Sequence, residues 1–187
     1  MQGFEVVFTC MCMAIIIYQV RYFLVQYAVM HKIELFYYSM FLLSVSIFYY
    51  AYVLPDIFNF GFTPIIKTVF SAIKLPFQFI SNVFYILFII YYLELQKTRR
   101  SIHTLCNYYK YYNLIFTMVF VVLGILEIES SDLFHLVTLV LLIGSVAVLM
   151  MLWRINTVYS KVILYGTSCT VIGSRKLARG LRLAHSR

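Results

Sequence analysis

Hydrophobic residues run along this chain in long unbroken stretches, and polar residues gather between those stretches instead of alternating within them. Runs of that length predict membrane-crossing helices, whereas the strands of a membrane barrel would read as ~10-residue segments of strict alternation. Spans are predicted at about 6–30, 34–54, 76–95, 111–126 and 133–153. The first is interrupted by Gln19 and Arg21. Arg21 either snorkels towards an inner boundary or faces the interior of a bundle. His31 and Lys32 make a tight turn, Pro55 ends the second span, and "PDIFNFGFTP" reads as a loop. In "IIKTVFSAIKL", residues 65–75, Lys67 and Lys74 fall on one helical face. That stretch is either an interfacial amphipathic turn or the start of a long third helix kinked at Pro76. "QKTRRSIHTLCNYYK" is expected as a basic loop and "EIESSD" as an acidic turn.

Beyond the fifth span, "KVILYGTSCTVIG" reads as the opening half of a sixth span that does not finish. The basic segment "GSRKLARGLRLAHSR" follows it. The expected layout is therefore a transmembrane domain over 1–160, then a partial sixth span and a basic cytoplasmic tail over 161–187. Leu177, Leu181 and Ala184 share one helical stripe of the tail and Arg175, Arg179 and Arg182 another, a pattern suited to an anionic membrane surface, although Gly180 weakens it. The unfinished span favours reading this end as truncated or mis-spliced.

Composition turns the pattern into a fold class. Of 187 residues, 63% are hydrophobic and 12% charged, with a mean hydropathy of +0.89. Soluble domains are about half apolar and a quarter charged. The expected fold is all-α, a polytopic transmembrane helical bundle of five full spans plus the partial sixth. The net charge of +8 would point to nucleic acid in a soluble protein. In a membrane protein it marks the cytoplasmic side, and no nucleic-acid partner is expected. With the N-terminus outside and the C-terminus inside, all of the 15 Lys and Arg residues but Lys67 and Lys74 fall inside. Glu5, Asp56, Glu127, Glu129 and Asp132 then fall outside, and paired tyrosines and phenylalanines at span ends suit the interface. The first residues carry Glu5 and no basic leader, so the first helix is expected to act as its own insertion signal.

Candidate chemistry is sparse. His31, His103, His135 and His185 lie at boundaries and do not converge as haem ligands would. Cys10, Cys12, Cys106 and Cys169 have no metal-ligand spacing and are expected as free thiols. No nucleophile elbow, HExxH or paired intramembrane carboxylate occurs, so neither a catalytic residue nor a cofactor is expected. Glu94, in "FIIYYLELQKTRR", is the acid of most interest. It is read either as an interfacial carboxylate paired with Arg99 or Arg100, or as a bundle-facing group that holds neighbouring helices.

Several short stretches resemble a known family. "LPFQFISNVFYILFIIYYLELQKTRRS" is similar to the third-helix region of the tobamovirus multiplication proteins. These are seven-helix, receptor-like membrane proteins of plant vacuoles, with orphan-receptor-like relatives in animal lysosomes. The resemblance lies in Leu75-Pro76, Tyr85-Ile86-Leu87, Tyr91-Tyr92, Glu94 and Arg100. "YQVRYFLV" resembles the end of the family's first helix, with Gln19 and Arg21 matching, and "VLMMLWRINTVYSK" the end of its fifth, through Arg154. "KVILYGTSCTVIG" looks like the start of its sixth. The Trp usual before the Glu and the Tyr-Gly-Gly element before the fifth-helix Arg are missing. The resemblance implies an endomembrane location, vacuolar or lysosomal, and a role in recruiting other proteins there.

The expected function is non-enzymatic: a receptor-like or scaffold membrane protein presenting a basic cytoplasmic face to anionic inner-leaflet lipids or to cytosolic or membrane protein partners. Arg21, Glu94, Arg99, Arg100 and Arg154 are the candidate structural and partner-facing residues. An accessory subunit of a larger complex is the alternative, and 17 Phe and 17 Tyr would suit the AT-rich coding of an organelle genome. A transporter or channel is the third class, weakened by the lack of symmetric helix breaks.

Overall fold

A computed structural model describes residues 2–57, 64–126, 128 and 131–155. Apart from short turns these residues are helical, and among them there is no strand. The helices are α1 (Gln2–Met30), α2 (Ile33–Ile57), α3 (Pro64–Tyr92), α4 (Leu95–Thr98), α5 (Arg100–Ile125) and α6 (Ser131–Ile155). Four are long and apolar enough to cross a membrane, through Cys10–Met30, Ile33–Ala51, Leu75–Tyr92 and Arg100–Ile125. At about 1.5 Å per residue, segments of this size match a hydrocarbon core of about 30 Å. The chain is an integral membrane protein of the all-α class.

Helix ends differ from the sequence expectation in instructive ways. The turn at His31 and Lys32 is present, with His31 left-handed at φ 53°. Pro55 does not end α2, which continues to Ile57. Residues 65–75 belong to the long third helix, with Pro76 inside it, and are not a separate interfacial turn. Pro76 has no N–H to offer the carbonyl one turn back, a loss that a single position in a long helix absorbs. The expected basic loop at 96–110 is mostly helix: α4 takes Leu95–Thr98, and α5 begins at Arg100, well before the apolar stretch at Tyr111. The stretch 58–63, half of the acidic turn (127, 129 and 130), the partial sixth span and the tail lie outside the described residues.

Packing among α1, α2, α3 and α5 follows chain order. α1 packs on α2, α2 on α3 and α3 on α5, and among the described residues α1 meets neither α3 nor α5. The four helices therefore form a row and not a ring around a common centre. Rings join the neighbours: Phe23–Tyr38 (4.7 Å) and Tyr27–Phe36 (5.4 Å) between α1 and α2, Tyr38–Phe88, Phe41–Tyr85 and Tyr37–Tyr91 (each 5.1 Å) between α2 and α3. Between α3 and α5, Phe79 stacks flat on Phe120 at 5.1 Å, both fully buried. As the partner numbers rise on one helix they fall on the next, so consecutive helices are antiparallel.

Buried serines in these helices spend their hydroxyls locally. Ser39, Ser44 and Ser46 each donate to the carbonyl four residues back, and Ser81 to the one three back. No hydroxyl proton is left to hydrocarbon, where an unmet polar group is costly. By internal packing the chain divides into two compact units, Met1–Leu136 and Val137–Arg187. In the second, the described part of α6 buries Val137, Leu141 and Val148 along one stripe, and Ser145 donates to the Leu141 carbonyl.

Candidate functional site

Polar side chains collect where α3 gives way to α5. α3 stops at Tyr92, and Glu94 adopts a left-handed backbone (φ 47°, ψ 41°) that starts the short α4. Leu95, fully buried, pins the turn. Arg99 is extended, and its N–H donates to the Leu95 carbonyl (3.0 Å) before α5 begins. This turn presents Lys97, Arg99 and Arg100 to the outside, all exposed.

The Glu94 carboxylate takes a hydrogen bond from Lys97 Nζ at 3.2 Å, with the two side chains 63% and 78% exposed. Glu94 thus stands at an exposed turn just past the end of α3. Lys97, not singled out by the sequence reading, is one cation it holds. An exposed pair of this kind contributes little to stability.

Along the first turns of α5, one face carries a polar ladder. Thr104 Oγ1 donates to the Arg100 carbonyl (3.0 Å), Asn107 Nδ2 lies 3.2 Å from the His103 ring, and Lys110 Nζ donates to Asn107 Oδ1 (3.1 Å). Lys110 also sits 4.6 Å from the centre of the Tyr111 ring, within cation–π range. Gln96, Arg100, His103, Thr104, Asn107 and Tyr108 line an open recess of about 620 Å³, with Tyr111 at one end. Spacing of three and four residues makes this one helical face. Four cations lie between residues 97 and 110 and no acid does, so the face is positive. A recess so lined can hold a phosphate-sized anion by hydrogen bonds and charge.

A second polar feature lies deeper. Asn82 Nδ2 on α3 donates to Asn113 Oδ1 on α5 at 3.2 Å, and Asn113 Nδ2 donates to the Tyr109 carbonyl at 2.8 Å. Asn113 is fully buried. Thr117 Oγ1 returns to the Asn113 carbonyl at 2.8 Å, so the link is satisfied at each step. Sequence reading passed over both asparagines. The signal was there, since an amide inside an apolar run needs a partner on the next helix.

Arg21 stands apart from these groups, on the exposed side of α1. The ring contacts of Phe23 with Tyr38 and Tyr27 with Phe36 set the register of α1 on α2. Arg21 is then level with Met40 to Leu42, the middle of Ile33–Ala51. An arginine at mid-membrane depth costs about 2.5–3.5 kcal/mol. Among the described residues, no carboxylate lies within ion-pair reach of it. Arg154 is exposed in the last turn of α6. Among the described residues Cys10, Cys12 and Cys106 are free thiols, Cys106 buried.

No protein-family model, curated protein or solved structure matches the chain.

Proposed function

We propose that this is a non-enzymatic, multi-pass membrane protein of the receptor-like or scaffold type, whose basic cytoplasmic end is held against anionic lipid headgroups. α6 serves as a fifth span, the N-terminus lies outside, and the C-terminus lies inside with the cations of the α3–α5 end and Arg154. The observation that carries this reading is the basic α4–α5 stretch, which holds Lys97, Arg99, Arg100 and Lys110, with Arg100, His103, Thr104 and Asn107 lining the recess. Near an anionic leaflet each such cation contributes about 1 kcal/mol. The resemblance through Leu75-Pro76, Glu94 and Arg100 adds an endomembrane location to the proposal, vacuolar or lysosomal, which a fluorescent fusion would test.

The lipid reading is tested with the full chain in bilayers containing spin-labelled phosphatidylserine or phosphatidylcholine. The wild type is expected to select the anionic lipid several-fold, less so at high salt. With Lys97, Arg99, Arg100 and Lys110 all changed to Gln, selection is expected to fall close to unity. Equal retention of both lipids by the wild type would sink the proposal. A second reading, an accessory subunit of a larger membrane assembly, is favoured by one separate observation: Arg21 on the open side of α1.

A further inference from the structure

The exposed side of α1 is built unlike a surface meant for lipid alone. Met11, Ile15, Tyr18, Tyr22, Val25 and Val29 form a stripe in steps of four and three residues, all exposed. That alternation has the 3.5-residue period with which one helix seats along another. Gln19 and Arg21 flank the stripe and are also exposed, and Gln26 Nε2 donates to the Tyr22 hydroxyl across it at 2.6 Å. On its other side α1 buries Met13 and Val20, and there it packs on α2. The row of helices thus ends at α1 with a heptad-spaced face carrying a guanidinium at mid-depth.

Snorkelling does not relieve that charge. Lifting the inner boundary to Arg21 would push Phe23, Leu24, Val25, Ala28, Val29 and Met30 into water. It would also leave α2 too few residues to cross, because Ile33–Ala51 is registered against the same part of α1. Among the described residues no carboxylate stands at that depth: Glu34 and Glu94 lie at the ends of α2 and α3 that face away from it. A second copy in the same orientation would set Arg21 against Arg21. What fits is a helix of a different protein with a carboxylate at the same depth, since intramembrane charges are tolerated chiefly as pairs.

We infer that the Met11–Val29 stripe of α1 docks a transmembrane helix of a different protein that bears an Asp or Glu at mid-membrane, paired with Arg21. This rests on the membrane-spanning reading of the chain and not on the lipid-binding reading of its basic end. The test uses the full chain, labelled with a fluorescent donor, in neutral phosphatidylcholine vesicles. Acceptor-labelled single-span Leu/Ala peptides carry Glu, Leu or Lys at their midpoint. The Glu peptide is expected to associate at least tenfold more tightly than the Leu peptide with the wild type, and within about twofold of it with Arg21→Leu. With Arg21→Glu the preference is expected to pass to the Lys peptide, a gain that a poorly folded variant would not show. Equal association of the Glu and Leu peptides with the wild type overturns the inference. So does a Glu preference that survives Arg21→Leu, or energy transfer showing two copies of the chain paired through α1. Extraction of the chain from vesicles by alkaline carbonate would overturn the spanning reading and this inference together. An integrated chain without preference overturns this inference alone.

Discussion

His31 and Glu94 take left-handed backbone without being glycine, at φ 53° and φ 47°. Each sits where a long helix has to stop and the chain reverse within a residue or two. For a residue with a Cβ that conformation costs about 1–2 kcal/mol. At Glu94 the exposed pair with Lys97 returns less than about 0.5 kcal/mol. Glu94→Gly is therefore expected to raise stability by about 1 kcal/mol in a denaturant titration in micelles. A clear loss instead would show that the carboxylate holds something the turn needs. The Asn82–Asn113 bond is the opposite kind of residue, buried and joining two helices. A double-mutant cycle with Asn82→Ala and Asn113→Ala is expected to return a coupling of about 0.6 kcal/mol, the usual worth of such a bond within a bilayer. Independent single effects would place the whole value of Asn113 in its bond to the Tyr109 carbonyl.

α5 shows what hydropathy reads and what it misses. Length and apolarity pointed to the four helices long and apolar enough to cross a membrane, because both report on bilayer thickness. The same measure hid the first turns of α5, since Arg100 to Lys110 are polar although their backbone is helical. Periodicity carried the missing signal: Cys106, Asn113, Thr117 and Phe120 stand one or two turns apart and are all buried. The left-handed turn at Glu94 had no comparable mark, because nothing in Leu-Glu-Leu distinguishes it from continued helix. Maleimide labelling in membranes checks the helical reading. Single cysteines at Ser101, Thr104 and Tyr108 are expected to react quickly, those at Leu105 and Tyr109 slowly, and Cys106 only after unfolding. Uniform reaction across 101–110 would return the segment to a loop.

At the scale of the whole molecule, orientation is the first quantity to measure. An acceptor site for N-glycosylation is expected to be modified when inserted at residues 58–63 and not when inserted between Thr98 and Arg99. The reverse pattern would invert the topology and place the four cations of the α4–α5 face outside. The row itself governs how the chain is made. Among the described residues, each long helix from α1 to α5 packs only on its neighbours in chain order. Each interface can therefore close as soon as the second helix of its pair leaves the translocon, with no wait for distant sequence. Contacts this local make for fast assembly. They also leave α1 with an open flank while α2 to α5 are made, so a partner can join it before those helices are complete.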